Sequence, residues 1–232
     1  MVIGVQEMKV PFDNVNSTQA RLRTLGWEAS IVPCYGRGNT ASCGVGILAR
    51  PGISVTMITS ELAGFFVPVS PRFGFWCVEG GFAGRHIVVV LYLVSGVGLN
   101  EENLSILEMV ASVLITLKKP FLIMADWNFE PKVLKESSWC EGVGASIADP
   151  GRPTCLQGDA ARVYDYVVYS SHFIAKPSAK LYDAWTPSPH TAVLFQVPWK
   201  QTIPQITVFR KPRSFPACEP FDPCPNSHGC KE

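Results

Sequence analysis

The sequence predicts an α/β chain built as a mixed β-sandwich, and three observations carry that prediction. Short apolar runs of strand length recur through residues 1–198. They are joined in some places by hairpin signals and in one by a helical crossover, and only one segment has strong helical periodicity. A doubly wound parallel sheet would alternate strands and helices regularly, and this chain does not. No internal repeat is visible.

Residues 2–6 read as a short apolar strand, and residues 16–25 as a helix with Asn14 or Asn16 as its cap and Gly26 as its stop. Residues 27–32 return as a strand, residues 36–40 form a loop, and residues 44–49 form a buried strand whose glycines permit close backbone approach. Alternation resumes over residues 55–59. The β-rich runs 73–79 and 86–93 are joined through Gly80, Gly81 and Gly84, which predicts a hairpin.

Leu104, Leu107, Val110, Ala111 and Leu114 recur at three- and four-residue steps, so residues 101–117 are predicted as an amphipathic helix, with Pro120 ending it. A strand over residues 121–125 follows, then a helical or looped stretch from Pro131. Residues 164–170, 178–184 and 191–197 are the late strands. Beyond that point Pro204, Pro212, Pro216, Pro220, Pro223 and Pro225 crowd an aperiodic stretch, so residues 199–232 are expected to be a flexible tail. Its Cys218, Cys224, Cys230 and His228 match no zinc module, because the strong zinc signals use paired C-x2-4-C arms.

Composition narrows the function classes. The 232 residues suffice for one sizeable domain, and 47% apolar against 17% charged residues points to a large, well-covered core. A net charge of +1 lacks the footprint of a dedicated DNA-binding domain, so a nucleic-acid partner has to be argued from a site. The longest apolar run, residues 87–99, is too short to span a bilayer, and the N-terminus has no basic region before its apolar residues, so neither membrane nor signal peptide is expected. Cys34, Cys43, Cys77, Cys140 and Cys155 are dispersed, and we read them as reduced thiols of an intracellular protein, nuclear or cytoplasmic. No Gly-x-Ser-x-Gly elbow or P-loop lysine motif occurs.

Five separated segments carry residues suited to metal-assisted phosphodiester chemistry. They are Gln6-Glu7, Tyr92, Asp126-Trp127-Asn128, Tyr164-Asp165-Tyr166 and Pro189-His190. Such chemistry needs a cation to neutralise phosphoryl oxygens, a base to prepare water and a donor aimed at developing charge. Asp126 and Asn128 follow an apolar strand and lie two residues apart, which predicts that they emerge on one side of its end. Asp165 sits in an otherwise apolar strand, where a carboxylate needs a partner.

In that order, the set resembles the endonuclease/exonuclease/phosphatase superfamily over roughly residues 1–198. Within it the chain is most similar to endonuclease domains of non-LTR retrotransposons, especially in Gly44-Val-Gly-Ile-Leu-Ala-Arg50 and in Thr154-Cys155 leading to Arg162-Val-Tyr-Asp-Tyr-Val-Val168. The resemblance implies a four-layer α/β sandwich of two mixed sheets flanked by helices. It implies a monomeric Mg²⁺- or Mn²⁺-dependent DNA endonuclease of retroelement origin, a catalytically impaired binding module, or a phosphatase of small phosphoesters.

It also implies roles: Glu7 as metal ligand, Asp126 as the group that orients or deprotonates water, and Asn128 as positioner of phosphate or water. Tyr92 would donate to a phosphate oxygen, and Asp165 would hold His190 on the scissile phosphate. Two departures stand out. Pro189 occupies a place where the family has an aspartate, and the chain starts almost at the Glu7 strand, so the family's first strand, with its Trp-Asn motif, is expected to be missing.

Overall fold

A computed structural model describes residues 1–196 except 37, 39–40, 80–84, 158–159, 172, 174–176 and 185–187. The tail expected over residues 199–232 lies outside the described residues, as does the turn of the predicted 73–93 hairpin.

The chain opens with β1 (Val2–Val5), a 3-10 turn over Phe12–Asn14, α1 (Val15–Thr24), β2 (Glu28–Val32) and β3 (Val45–Ala49). Then come β4 (Ser54–Met57), α2 (Ser60–Ala63), β5 (Phe73–Glu79), β6 (Arg85–Tyr92) and α3 (Glu101–Leu117). The second half runs β7 (Phe121–Asp126), α4 (Pro131–Glu136), α5 (Trp139–Gly142), β8 (Ala145–Ala148), β9 (Cys155–Gln157) and β10 (Ala160–Arg162). It closes with β11 (Asp165–Ser170), β12 (Ser178–Leu181) and β13 (Val193–Gln196).

Six strands build the main sheet in the order β4-β5-β6-β7-β11-β8. Its pairs are antiparallel except β6–β7, the pair that α3 joins as a crossover. The helix falls on the bounds its periodicity predicts, because Asn100 caps it by accepting the Asn103 N–H at 3.0 Å and Lys118 ends it in the left-handed region. A second, smaller layer is split. One part is the antiparallel sheet β1-β3-β2, the other the pair β12–β13. Among the described residues, β1 pairs on one edge only, with β3, and β13 on one edge only, with β12.

Strand alternation sorts the core into two interfaces. Phe73, Phe75, Ile87, Val89, Leu91 and Ile123 face α3 through Ile106, Leu107 and Val110. Trp76, Val78, Val88 and Val90 face Val32, Val45 and Ile47 of the three-stranded sheet. Farther along that side, Leu122, Val167 and Tyr169 meet Ala179 and Phe195 of β12–β13. With α1 running against β2 on the outside, the layers are helix, sheet, split sheet and helix, the mixed α/β sandwich the sequence predicts. Gly46 shows why a glycine recurs in β3, since a Cβ there would lie 2.5 Å from the Met8 sulfur and 3.2 Å from the Ser30 carbonyl.

The short elements α2, α5, β8, β9 and β10 have no counterpart in the sequence prediction. Each is three or four residues long, too short for either period to repeat. The five described cysteines are free thiols, and no helix among the described residues is long and apolar enough to cross a membrane.

Candidate active site

Three neighbouring strands bring their polar ends to one level. Pairing sets Tyr92 of β6 beside Asp126 of β7, and Asp126 beside Asp165 of β11. Met124 and Val167, each two residues away along its strand, face the split sheet, as does Tyr92 itself. Alternation therefore places all three polar side chains on that same face, as one cross-strand row.

The floor beneath the row is aromatic. Trp127, 0% exposed, stacks on Tyr166 with ring centroids 5.0 Å apart and planes 9° from parallel, and its Nε1–H donates to the Tyr166 carbonyl at 3.0 Å. This packing clamps the end of β7 to the start of β11.

Asn128 reaches the site by a route that strand alternation does not describe. The strand ends at Asp126, and Asn128 has φ 55°, the left-handed region that Asn tolerates better than most residues. Its N–H donates to Asp126 Oδ1 at 3.1 Å, and its side-chain Nδ2–H donates to the Leu93 carbonyl at 2.8 Å. The nearness of the two residues is thus produced by a turn closed on the Asp126 carboxylate.

His190 also differs from its expected setting. The strand expected over residues 191–197 starts only at Val193, and His190 before it forms an isolated bridge with Cys155. Its Nδ1 lies 2.8 Å from Asp165 Oδ2, and its Nε2 points toward Asp126, 3.9 Å from Oδ2. Pro189, standing where the resemblance implies an aspartate, offers a backbone carbonyl that accepts the Leu156 N–H at 2.9 Å.

Glu7 lies beyond β1, in the left-handed region at φ 51°. Its carboxylate stands close enough to the Tyr92 hydroxyl to act on it through charge and 3.9 Å from Lys9 Nζ, with its side chain 44% exposed. Arg72, which the sequence did not single out, lies behind Tyr92. Its guanidinium carbon is 5.6 Å from the ring centroid, and its carbonyl accepts the Tyr92 N–H at 2.7 Å. No spacing links it to Tyr92, because the two meet only through sheet pairing.

Burial and like charge set the electrostatics. Asp126 is 7% exposed, and its carboxyl is pushed up to about 7, first by burial and then by the Asp165 charge. His190 is raised from its ordinary value by the hydrogen bond its ring N–H donates to Asp165, against the opposing effect of burial. Tyr92 is raised well above the ordinary phenol value by burial and by Glu7, so it stays a protonated donor.

One ligand atom from each of Asp126, Asp165 and His190 lies within 4.8 Å of the others, with the Glu7 carboxylate close enough to act on Asp126 and His190 through its charge. This is a hard, mostly carboxylate donor set with surplus negative charge, which suits a divalent cation bound through oxygen.

Comparison with solved structures supplies the architecture's relatives. An AP endonuclease from Leishmania major matches with a TM-score of 0.62 at 15% identity, over 83% of this chain and 76% of that one. The endonuclease domain of a telomere-specific non-LTR retrotransposon matches with a TM-score of 0.56 at 12% identity, over 80% and 91%. The human Nocturnin catalytic domain with bound sulfate matches with a TM-score of 0.53 at 15% identity, over 84% and 80%. The chain shares the fold of these three structures. No family profile matches the sequence, and no curated protein does either. Within that fold the Tyr92–Asp126–Asp165 row stands at the ends of β6, β7 and β11, and His190 is delivered to it from the opposite layer.

Proposed function

We propose that this chain hydrolyses phosphodiester bonds with the help of a divalent cation, and that its substrate is DNA cut internally, as by an endonuclease of retroelement origin. The observation that carries the reading is the Tyr92–Asp126–Asp165 row with His190 seated on Asp165 at 2.8 Å. Two of the fold relatives, the AP endonuclease and the retrotransposon domain, are endonucleases.

Glu7 is the metal ligand in this reading, with the Asp126, Asp165 and His190 group beside it. A bound Mg²⁺ or Mn²⁺ supplies neutralisation of charge on the phosphoryl oxygens. Asp126, with its carboxyl near 7, is poised to orient water and take its proton at neutral pH. Asp165 holds Nδ1 of His190, which leaves Nε2 to meet the scissile phosphate and stabilise charge there. Tyr92, held protonated beside Glu7, donates its hydroxyl to a phosphate oxygen, and Asn128 keeps the Asp126 carboxylate oriented toward water or phosphate.

Supercoiled plasmid incubated with the protein and Mg²⁺ or Mn²⁺ is the test. Nicking by wild type that EDTA, Asp126→Ala and His190→Ala each abolish is the expected result, and equal nicking by wild type and both variants would sink the reading. Pro189 favours a second reading, a nucleic-acid binding module, because it removes a carboxylate from the place beside His190. That module would retain DNA in a filter-binding assay and nick none of it.

A further inference from the structure

Neither partner of the Asp165–His190 pair is fixed by a strand ladder running past it on both sides. Asp165 is the first residue of β11, and His190 precedes β13. Both are tied to one buried residue, Thr154, which is 0% exposed. The Thr154 hydroxyl oxygen accepts the N–H of Tyr164 at 3.0 Å and the N–H of Asp165 at 2.9 Å. Its carbonyl accepts the N–H of Thr191 at 2.7 Å, and its own N–H donates to the Arg162 carbonyl at 2.8 Å. The next two residues continue the seam, Cys155 as the bridge partner of His190 and Leu156 by donating to the Pro189 carbonyl at 2.9 Å.

We infer that Thr154 is a positioning residue for the Asp165–His190 pair, holding the carboxylate side through its hydroxyl and the imidazole side through its carbonyl. The hydroxyl has two acceptor lone pairs, and it uses one on each N–H. Valine has nearly the same shape and no acceptor, so Thr154→Val would strand both part-buried N–H groups, and the start of β11 would shift to find water. Serine keeps the acceptor. Only the activity arm of the test rests on the phosphodiesterase reading; the spectroscopic arm stands without it.

The test compares wild type with Thr154→Val and Thr154→Ser, each checked for folding by circular dichroism. In the first arm the His190 Nδ1 proton is observed by NMR. A downfield signal in wild type and Thr154→Ser that is lost in folded Thr154→Val is expected, together with faster amide exchange at Tyr164 and Asp165. In the second arm plasmid nicking is measured. For Thr154→Val, kcat falls by about 10- to 100-fold while KM changes little, and Thr154→Ser stays within about threefold of wild type.

A folded Thr154→Val with an unchanged imidazole signal overturns the inference, as does a Thr154→Ser variant that loses that signal. A wild type that nicks nothing removes the phosphodiesterase reading and leaves the imidazole arm to decide this one. If Thr154→Val does not fold, Thr154→Cys, of similar size with a weak acceptor, is read by the same proton and exchange measurements.

Discussion

Nδ1 of His190 lies 2.8 Å from Oδ2 of Asp165, and the contact joins the loop before the last described strand to the first residue of β11. The Asp165 carboxylate raises the imidazole above its ordinary value. Stability from this bond is fully present below the unfolded imidazole's value and is lost as pH rises through the folded one. Asp165→Asn therefore lowers the His190 value in an NMR titration, and its loss of melting temperature is larger at pH 5.5 than at pH 9. An unchanged titration would show that the pair is not formed in solution.

Asp126 shifts in the same direction, contrary to the usual behaviour of a paired carboxylate. Its folded value near 7 stands above the ordinary one, so the stability this confers is present below about pH 4 and is lost as pH rises through about 7. Asp126→Asn stays neutral and keeps an oxygen for the Asn128 N–H. In EDTA it should match wild type near pH 4 and exceed it at pH 8, by up to ~4 kcal/mol. Urea melts at the two pH values measure this, and a variant less stable than wild type at pH 8 contradicts it.

A divalent cation bound at the candidate site would offset the same like-charge repulsion. Mn²⁺ or Mg²⁺ should raise the melting temperature of wild type more at pH 8 than at pH 5, by linkage to binding of the ionised carboxylates. Glu7→Gln should weaken that gain by removing one carboxylate charge beside the Asp126, Asp165 and His190 group. Calorimetric scans with and without EDTA check both, and a gain independent of Glu7 would remove it from the ligand set.

Trp127 is the support whose loss reaches the site without touching it. Trp127→Ala should cost about 3–5 kcal/mol through the cavity and the lost stack on Tyr166. Trp127→Phe keeps a stacking ring, loses the Nε1–H bond and leaves the smaller cavity, so it should cost about 1–3 kcal/mol. Chemical denaturation separates the two, and equal costs would mean that the ring stack contributes nothing.

Asn128 combines a left-handed backbone with two hydrogen bonds. Asn128→Gly relieves the backbone and loses the bond to Leu93, whereas Asn128→Ala loses the bond and keeps the strain. Alanine should be the less stable of the two by about 1 kcal/mol. Thermal melts that rank them the other way would show that the turn is held by something else.

Much of the frame is legible in the residues. The α3 bounds, the buried β5–β6 pair and the parallel crossover to β7 follow from periodicity, a cap and glycine signals, because each is local and repeats often enough to register. Short elements such as β9 are not legible, since three residues carry no period. Yet β9 and the residue before it bring the His190 segment to Asp165.

Residue type and order supplied the members of the candidate site: Glu7, Tyr92, Asp126, Asn128, Asp165 and His190 are all identifiable in the sequence. Tertiary structure alone decided how they meet. Cross-strand register made one row of Tyr92, Asp126 and Asp165, a left-handed turn brought Asn128 onto Asp126, and a bridge to Cys155 set His190 on Asp165. Register and long-range pairing depend on contacts between residues far apart in the chain, and burial, which lifts Asp126 toward neutrality, exists only once those contacts close.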